Sequence, residues 1–245
     1  MYQRRLPVFA LLMSLGAASC AAVSAQPQLS EKQMKEFLLT AKVVRSRQSR
    51  KGVTSPYHLT LADGTLTHDA LFQPIDESKT SMQFSNGRTE MNFRDSYHFN
   101  IAAYELAKLV GLGDMMPVTV ERKWGGKAGS LCWWLDDVVM DEAERIKQKK
   151  QAPDPEAWNK QMHRMRVFSQ LVYDTDRNLT NVLISRDWKL YMIDFSRAFR
   201  LSHNLENQKN LIRCDRHLLD KLRQLDRSQV ELKTQGQIKS PKSTP

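Results

Sequence analysis

The chain has 245 residues, 41% hydrophobic and 8% aromatic, enough to bury a sizeable core in one domain or two small lobes, which excludes a disordered chain. A formal net charge of +10 favours polyanions such as nucleic acid, a membrane surface or phosphate, yet much of it sits in peripheral segments. Charge alone therefore names no partner, no nucleic-acid partner is expected, and six histidines without HxxxH or HxH spacing predict no zinc site.

The first residues, "MYQRRLPVFALLMSLGAASCAAVSAQ", combine a basic start, an apolar run and small residues, the layout of a secretory signal peptide over 1–25 cleaved after Ala25. Cys20, preceded by "AAS", forms a weak lipobox that would instead make it a lipid-modified first residue. The apolar run is shorter than the roughly 20 residues that span a bilayer, and no other segment is apolar enough, so no transmembrane span is expected. The location implied is exported, periplasmic or secreted, with a lipid anchor as the variant. Without the leader, Cys132 and Cys214 remain, and both are expected to stay free thiols.

Residues 26–40 hold a short helix leading into a strand. "SPYHLTLADGTLTHDALFQPI" carries two alternating runs around Asp63 and Gly64, a hairpin signal, and is followed by a polar stretch from Asp76 to Arg94. "SYHFNIAAYELAKLV" has helical apolar spacing and ends before Gly111. A second hairpin turns at Gly125 and Gly126. A charged, proline-ending linker then leads to Asp154 and Pro155, an N-cap and first-turn proline that open a helix with Trp158, Met162, Met165, Phe168 and Val172 inward. Residues 227–245 are polar and basic without apolar period, which predicts a disordered tail.

That helix delivers the chain to "DTDRNLTN", Asp174 to Asn181. As an EF-hand loop it fails, because Leu179 replaces the required glycine and Ser185 the final glutamate. As a phosphatase Asp-x-Asp nucleophile it follows a helix where a buried strand is needed. Downstream, "VLISRDWKLYMID" reads as two apolar runs around a turn centred between Asp187 and Trp188, a register that pairs Val182 with Ile193 and Asn181 with Asp194. An amide oxygen and a carboxylate paired this way suit a magnesium ion, with Asp176 placed to orient a hydroxyl beside it. The same residues also suit a capped turn that binds nothing.

"DRNLTN", followed eighteen residues after its aspartate by "DFSRAF", resembles the catalytic and metal-binding segments of atypical kinases: phosphatidylinositol kinases, HipA-type kinases and secretory-pathway casein kinases. "ALFQP" and "FNIAAYELAKLVGLGDMMPVTVER" extend the likeness to the secretory kinases upstream, so that it covers Ala70 to Phe199. The resemblance implies an α+β, two-lobed protein-kinase-like fold with a sheet-rich N-lobe over 41–135 and a small helical C-lobe over 136–226. It implies Asp176 as the catalytic residue, Asn181 and Asp194 as metal ligands, and magnesium or manganese with ATP as cofactors.

Two departures weigh against full activity. Where the family has a phosphate-gripping lysine this chain has Gln73, and where its helix has a glutamate this chain has Asn100, so the usual ion pair is absent, although two amides can keep a mutual hydrogen bond. The loop "RSRQSRKGVT" is no GxGxxG cradle, but its Arg47, Arg50 and Lys51 are candidates for the lost charge at a nucleotide. Trp133 and Trp134 are expected to pack between the lobes rather than to stack on a base. The sequence thus points to an exported pseudokinase holding nucleotide and metal without efficient phosphotransfer, or to an active phosphotransferase acting on a secreted protein or glycan hydroxyl.

Overall fold

A computed structural model describes residues 29–49, 56–201, 204–205, 208–234 and 236–238; Cys20, Ala25, Arg50, Lys51 and the last tail residues lie outside them. Helix α1 (Glu31–Thr40) opens with a capping box, in which Ser30 Oγ accepts from the Gln33 N–H and the Gln33 side chain accepts from the Ser30 N–H. Strand β1 (Lys42–Gln48) follows, then β2 (Tyr57–Ala62) and β3 (Thr67–Gln73), joined at Asp63, whose Oδ1 accepts from the Thr65 and Leu66 N–H groups in an Asx turn. Strands β4 (Asp76–Gln83) and β5 (Thr89–Ser96) form a separate two-stranded hairpin in the stretch read as merely polar. Its side chains are mostly exposed, so no apolar alternation announces it.

Helix α2 (Tyr97–Leu109) is capped by Ser96 and buries Phe99, Ala102, Ala103 and Leu106. Strands β6 (Thr119–Trp124) and β7 (Lys127–Trp133) meet at Gly125 and Gly126, both at positive φ (58° and 76°), as a two-residue primed turn requires. The first sheet is antiparallel in the order β1-β2-β3-β7-β6 and closes over a core of Phe37, Leu59, Leu61, Phe72 and Leu131. Trp133 and Trp134 do not pack between lobes; Trp133 stacks on His68 at 3.7 Å and Trp134 lies 4.5 Å from the His58 ring, both on the first sheet. Strand neighbours β2 and β3 present these imidazoles, and the two indoles cover them.

The helical part contains strand β8 (Val138–Asp141), α3 (Glu142–Lys147), α4 (Pro155–Leu171), and strands β9 (Val182–Ser185) and β10 (Leu190–Met192), with sheet order β10-β9-β8. Asp154 caps α4 through the Glu156 and Ala157 N–H groups, and Trp158, Met162, Met165, Phe168 and Val172 are buried with Phe195 and Leu112 in a second core. Helices α5 (Arg216–Arg223) and α6 (Arg227–Thr234) complete the chain. The expected disordered tail is corrected for Arg227–Thr234: this segment is helical, packs against α2, and seats Val230 on the second core. A single apolar anchor among polar residues leaves no periodicity to read. Beyond it, Gln237 Oε1 lies 2.7 Å from His98 Nδ1 of α2, and its Nε2 donates to Glu121 at 3.2 Å. Cys132 and Cys214 are free thiols, and among the described residues no helix is long and apolar enough to cross a membrane.

Helix α1 is braced to α2 by charge: Lys108 lies 2.7 Å and Lys35 3.1 Å from Glu31, and Lys35 lies 2.8 Å from Glu105. Burial alone would raise the Glu31 carboxyl, but hydrogen bonds from Lys108 and Lys35 outweigh it and lower the pKa to about 2 from 4.5. A depressed folded-state value means that this brace stabilises fully above pH 4.5 and is lost as pH falls toward 2. Glu31→Gln should therefore flatten the melting-temperature profile across that window. Parallel acid profiles for variant and parent would contradict the assignment.

Candidate active site

Asp174 to Asn181 leaves α4 through Tyr173, at a left-handed φ of 45°. Arg177 organises the loop. Its guanidinium is 2.5 Å from the fully buried Asp174 carboxylate and donates to the carbonyls of Asn181 (3.0 Å), Ile193 (2.6 Å) and Asp194 (3.3 Å). It also lies over the Phe195 ring at 4.1 Å. One side chain thus ties the loop carrying Asp176 and Asn181 to the segment carrying Asp194.

The register between β9 and β10 differs from the sequence expectation by one residue. Met192, not Ile193, pairs with Val182, and the Ile193 N–H donates to the Asn181 carbonyl at 3.1 Å. The cause is the turn: Trp188 adopts φ 63°, and the Ser185 N–H donates to the Lys189 carbonyl, giving a three-residue loop where two residues were expected. Asn181 and Asp194 are therefore not a directly paired couple. Asp194, at φ 56°, turns out of strand geometry instead of continuing β10.

The two amides meet. Asn100 Nδ2 donates to Gln73 Oε1 at 2.6 Å and to Ser130 Oγ at 3.2 Å, while Asn100 Oδ1 accepts from the Phe195 N–H at 2.7 Å. Gln73 Nε2 points to Asp194 Oδ1 at 3.5 Å, and Ser196 Oγ donates to the same oxygen at 3.0 Å. A chain of neutral hydrogen bonds thus runs from the first sheet through α2 to Asp194. Close approach makes it fit: a Cβ on Gly129 would come within 2.7 Å of the Gln73 carbonyl and the Phe72 ring.

Asn181 Nδ2 donates to the Asp176 carbonyl at 3.1 Å, which commits its amide nitrogen and directs its oxygen elsewhere. Burial pushes the Asp176 carboxyl above the usual range; Asp194 and Asp174 push the same way, against Arg197 and Arg177. An amide oxygen and one carboxylate suit a hard cation that takes its other ligands from phosphate and water. They do not make an all-protein cage, and among the described residues no cluster of three or more His, Cys, Asp or Glu is arranged for a metal.

Arg47 is exposed on β1, and Arg50 and Lys51 lie outside the described residues. Sequence reasoning missed Glu90, Asp95 and Arg197. Burial raises the Asp95 carboxyl, a Ser196 hydrogen bond opposes that, and the Asp194 charge adds to it. Arg197 stands inside "DFSRAF" and was in view; Glu90 lies in the stretch read as polar, and Asp95 just after it.

No protein-family model matches the sequence, and no curated protein matches it. Solved structures do. A hydra Fam20 structure with sugar is 14% identical with a TM-score of 0.51, over 84% of this chain and 85% of that one. A Golgi casein kinase with Mn/ADP bound is 12% identical with a TM-score of 0.58, over 84% of this chain and 68% of that one. The fold is kinase-like. Within this kinase-like fold, β3 carries Gln73, α2 carries Asn100, and the loops around β9 and β10 carry Asp176, Asn181 and Asp194.

Proposed function

We propose that this kinase-like protein is exported and binds a nucleotide with magnesium or manganese beside Asn181 and Asp194, transferring phosphate inefficiently, as a pseudokinase. The observation that carries this reading is the 2.6 Å hydrogen bond between Asn100 and Gln73 in place of an ion pair. Two neutral amides preserve the spacing between β3 and α2 and still reach Asp194, but they place no positive charge on a transferring phosphate. When bound, the metal would neutralise phosphate charge. Asn181 and Asp194 would hold it, and Asp176 would orient the acceptor hydroxyl. The alternative, an active phosphotransferase on a secreted protein or glycan hydroxyl, is favoured by the half-buried Asp176 carboxyl, whose raised pKa suits a proton acceptor. Export rests on the leader.

Calorimetric titration with ATP, with and without manganese, tests this. Binding that requires metal, with phosphate release barely above background, is expected; no binding in either condition overturns the reading, and rapid turnover selects the alternative. Asp194→Ala should abolish the metal-dependent part of nucleotide stabilisation, which for the parent at 100 times Kd is about 2.7 kcal/mol, or roughly 5–10 °C for a domain of this size. Equal thermal shifts in variant and parent would remove Asp194 from the metal.

A further inference from the structure

Gln73 stands where the resemblance expects a lysine, and an arginine stands in the segment that carries Asp194. Arg197 follows Asp194 by three residues, and its carbonyl accepts from Thr175 Oγ1 at 3.2 Å, which ties it to the loop that holds Asp176. Its guanidinium lies against two rings of the β4–β5 hairpin, 5.0 Å from the centroid of Phe84 and 4.9 Å from that of Phe93, which are themselves 6.2 Å apart. Nη2 donates to Glu90 at 2.5 Å, while Nε is buried without a hydrogen-bond partner. Glu90 is shared, with Arg200 at 3.2 Å and Arg88 at 3.9 Å. Asp95 also lies within reach of the charges of Arg197 and Arg200, while Arg88 and Arg200 share Glu90 with Arg197, so one carboxylate serves three guanidinium groups.

We infer that Arg197, positioned by Glu90 and the two phenylalanines, is the cation that grips the distal phosphates of the nucleotide in place of the missing lysine. The inference rests on the nucleotide reading above. Three physical points carry it. An arginine fork offers five N–H donors in a plane that matches phosphate oxygens, and this one has donors to spare. Contact with both rings and the bond to Glu90 restrain the side chain, so less rotamer freedom remains to be lost on binding. The Arg197 carbonyl accepts from Thr175 Oγ1, which ties its backbone to the loop that carries Asp176. Glu90 then has a second role: it competes with phosphate for the same guanidinium, so the site trades affinity for a pre-set cation.

Titrating manganese with ADP and manganese with AMP into the parent, Arg197→Gln, Arg197→Lys and Glu90→Gln tests this. A phosphate contact discriminates by phosphate number, which a brace of the hairpin would not. Arg197→Gln should weaken ADP about tenfold or more, the loss of a charge-assisted contact, and leave AMP unchanged; Arg197→Lys should recover most of it. Glu90→Gln should tighten ADP with AMP again unchanged. It decides the matter where Arg197→Gln does not fold. Equal losses for ADP and AMP in Arg197→Gln, no loss for either, or unchanged or weaker ADP in Glu90→Gln overturn the inference while leaving the nucleotide reading intact. A parent that binds neither nucleotide sinks that reading, and this inference with it.

Discussion

Arg177→Ala is expected to lower stability by ~3–5 kcal/mol, the range for removing one partner of a buried ion pair. In a protein of this size that is a fall of roughly 6–20 °C in melting temperature. Asp174 is fully buried and would lose the guanidinium beside it, and the carbonyls of Asn181, Ile193 and Asp194 would each lose a donor. Those terms act in one direction, because water reaches the vacated space poorly and an unpartnered buried acceptor costs its full desolvation. Arg177→Lys should recover only part of the loss: an ammonium can pair with Asp174, but it lacks the planar fork that serves three carbonyls at once. Thermal melts of parent, Arg177→Ala and Arg177→Lys check this. An alanine variant melting within about 2 °C of the parent, under 1 kcal/mol by the same scaling, would show that Arg177 is not the organiser described above.

The second large effect is a gain. Gln73→Lys with Asn100→Glu should place an ion pair where two amides now meet at 2.6 Å, with the new ammonium near Asp194, already 3.5 Å from the Gln73 amide. Each single change should do worse. Gln73→Lys alone leaves its ammonium to pair with Asp194, the proposed metal ligand, with no carboxylate on α2 to hold it, and Asn100→Glu alone buries an unpaired negative charge beside the phosphates. The coupling between the positions is what the double mutant isolates. A missing phosphate cation is an electrostatic defect of the kind worth about 10²–10³ in rate, so ATP turnover or nucleotide affinity should rise in the double variant above both singles. The new glutamate can still accept from the Phe195 N–H, as Asn100 does at 2.7 Å, but the donor to Ser130 Oγ is given up. Should all four proteins bind no nucleotide, the fold would serve as a scaffold alone.

Much of this architecture was legible in the sequence where apolar period and punctuation agree. The Asp154 and Pro155 start of α4, its five inward residues, the glycine-paired hairpin of β6 and β7, and the meeting of Gln73 with Asn100 all follow from local chemistry or from the resemblance. Failures fell where the deciding signal was conformational or tertiary. Nothing in "SRDWK" announces that Trp188 will take a left-handed φ, and that single dihedral shifts the β9–β10 register by a residue. The β4–β5 hairpin is held by Glu90, whose partners Arg197 and Arg200 lie more than 100 residues away, and by Ser96 donating its N–H to Ser196. Such distant partners are invisible to any short window. Helix α6 was missed for the same reason: its apolar anchor, the partly buried Val230, has something to pack against only once the second core exists.

The bracing of α2 bears on the order in which this molecule can assemble. Helix α1, near the start of the described chain, pins α2 through Glu31 and Lys35, and residues near its other end pin the same helix through α6 and Gln237. Contacts that close over so much sequence are slow to form, because the loop entropy must be lost before the contacts repay it. A chain growing from its N-terminus therefore completes the support of α2, the helix that carries Asn100, only after α6 and Gln237 have been made. A molecule lacking α6 and Gln237 would hold a formed first sheet and a loosely seated α2, so the geometry of the site depends on a segment more than 100 residues further along the chain.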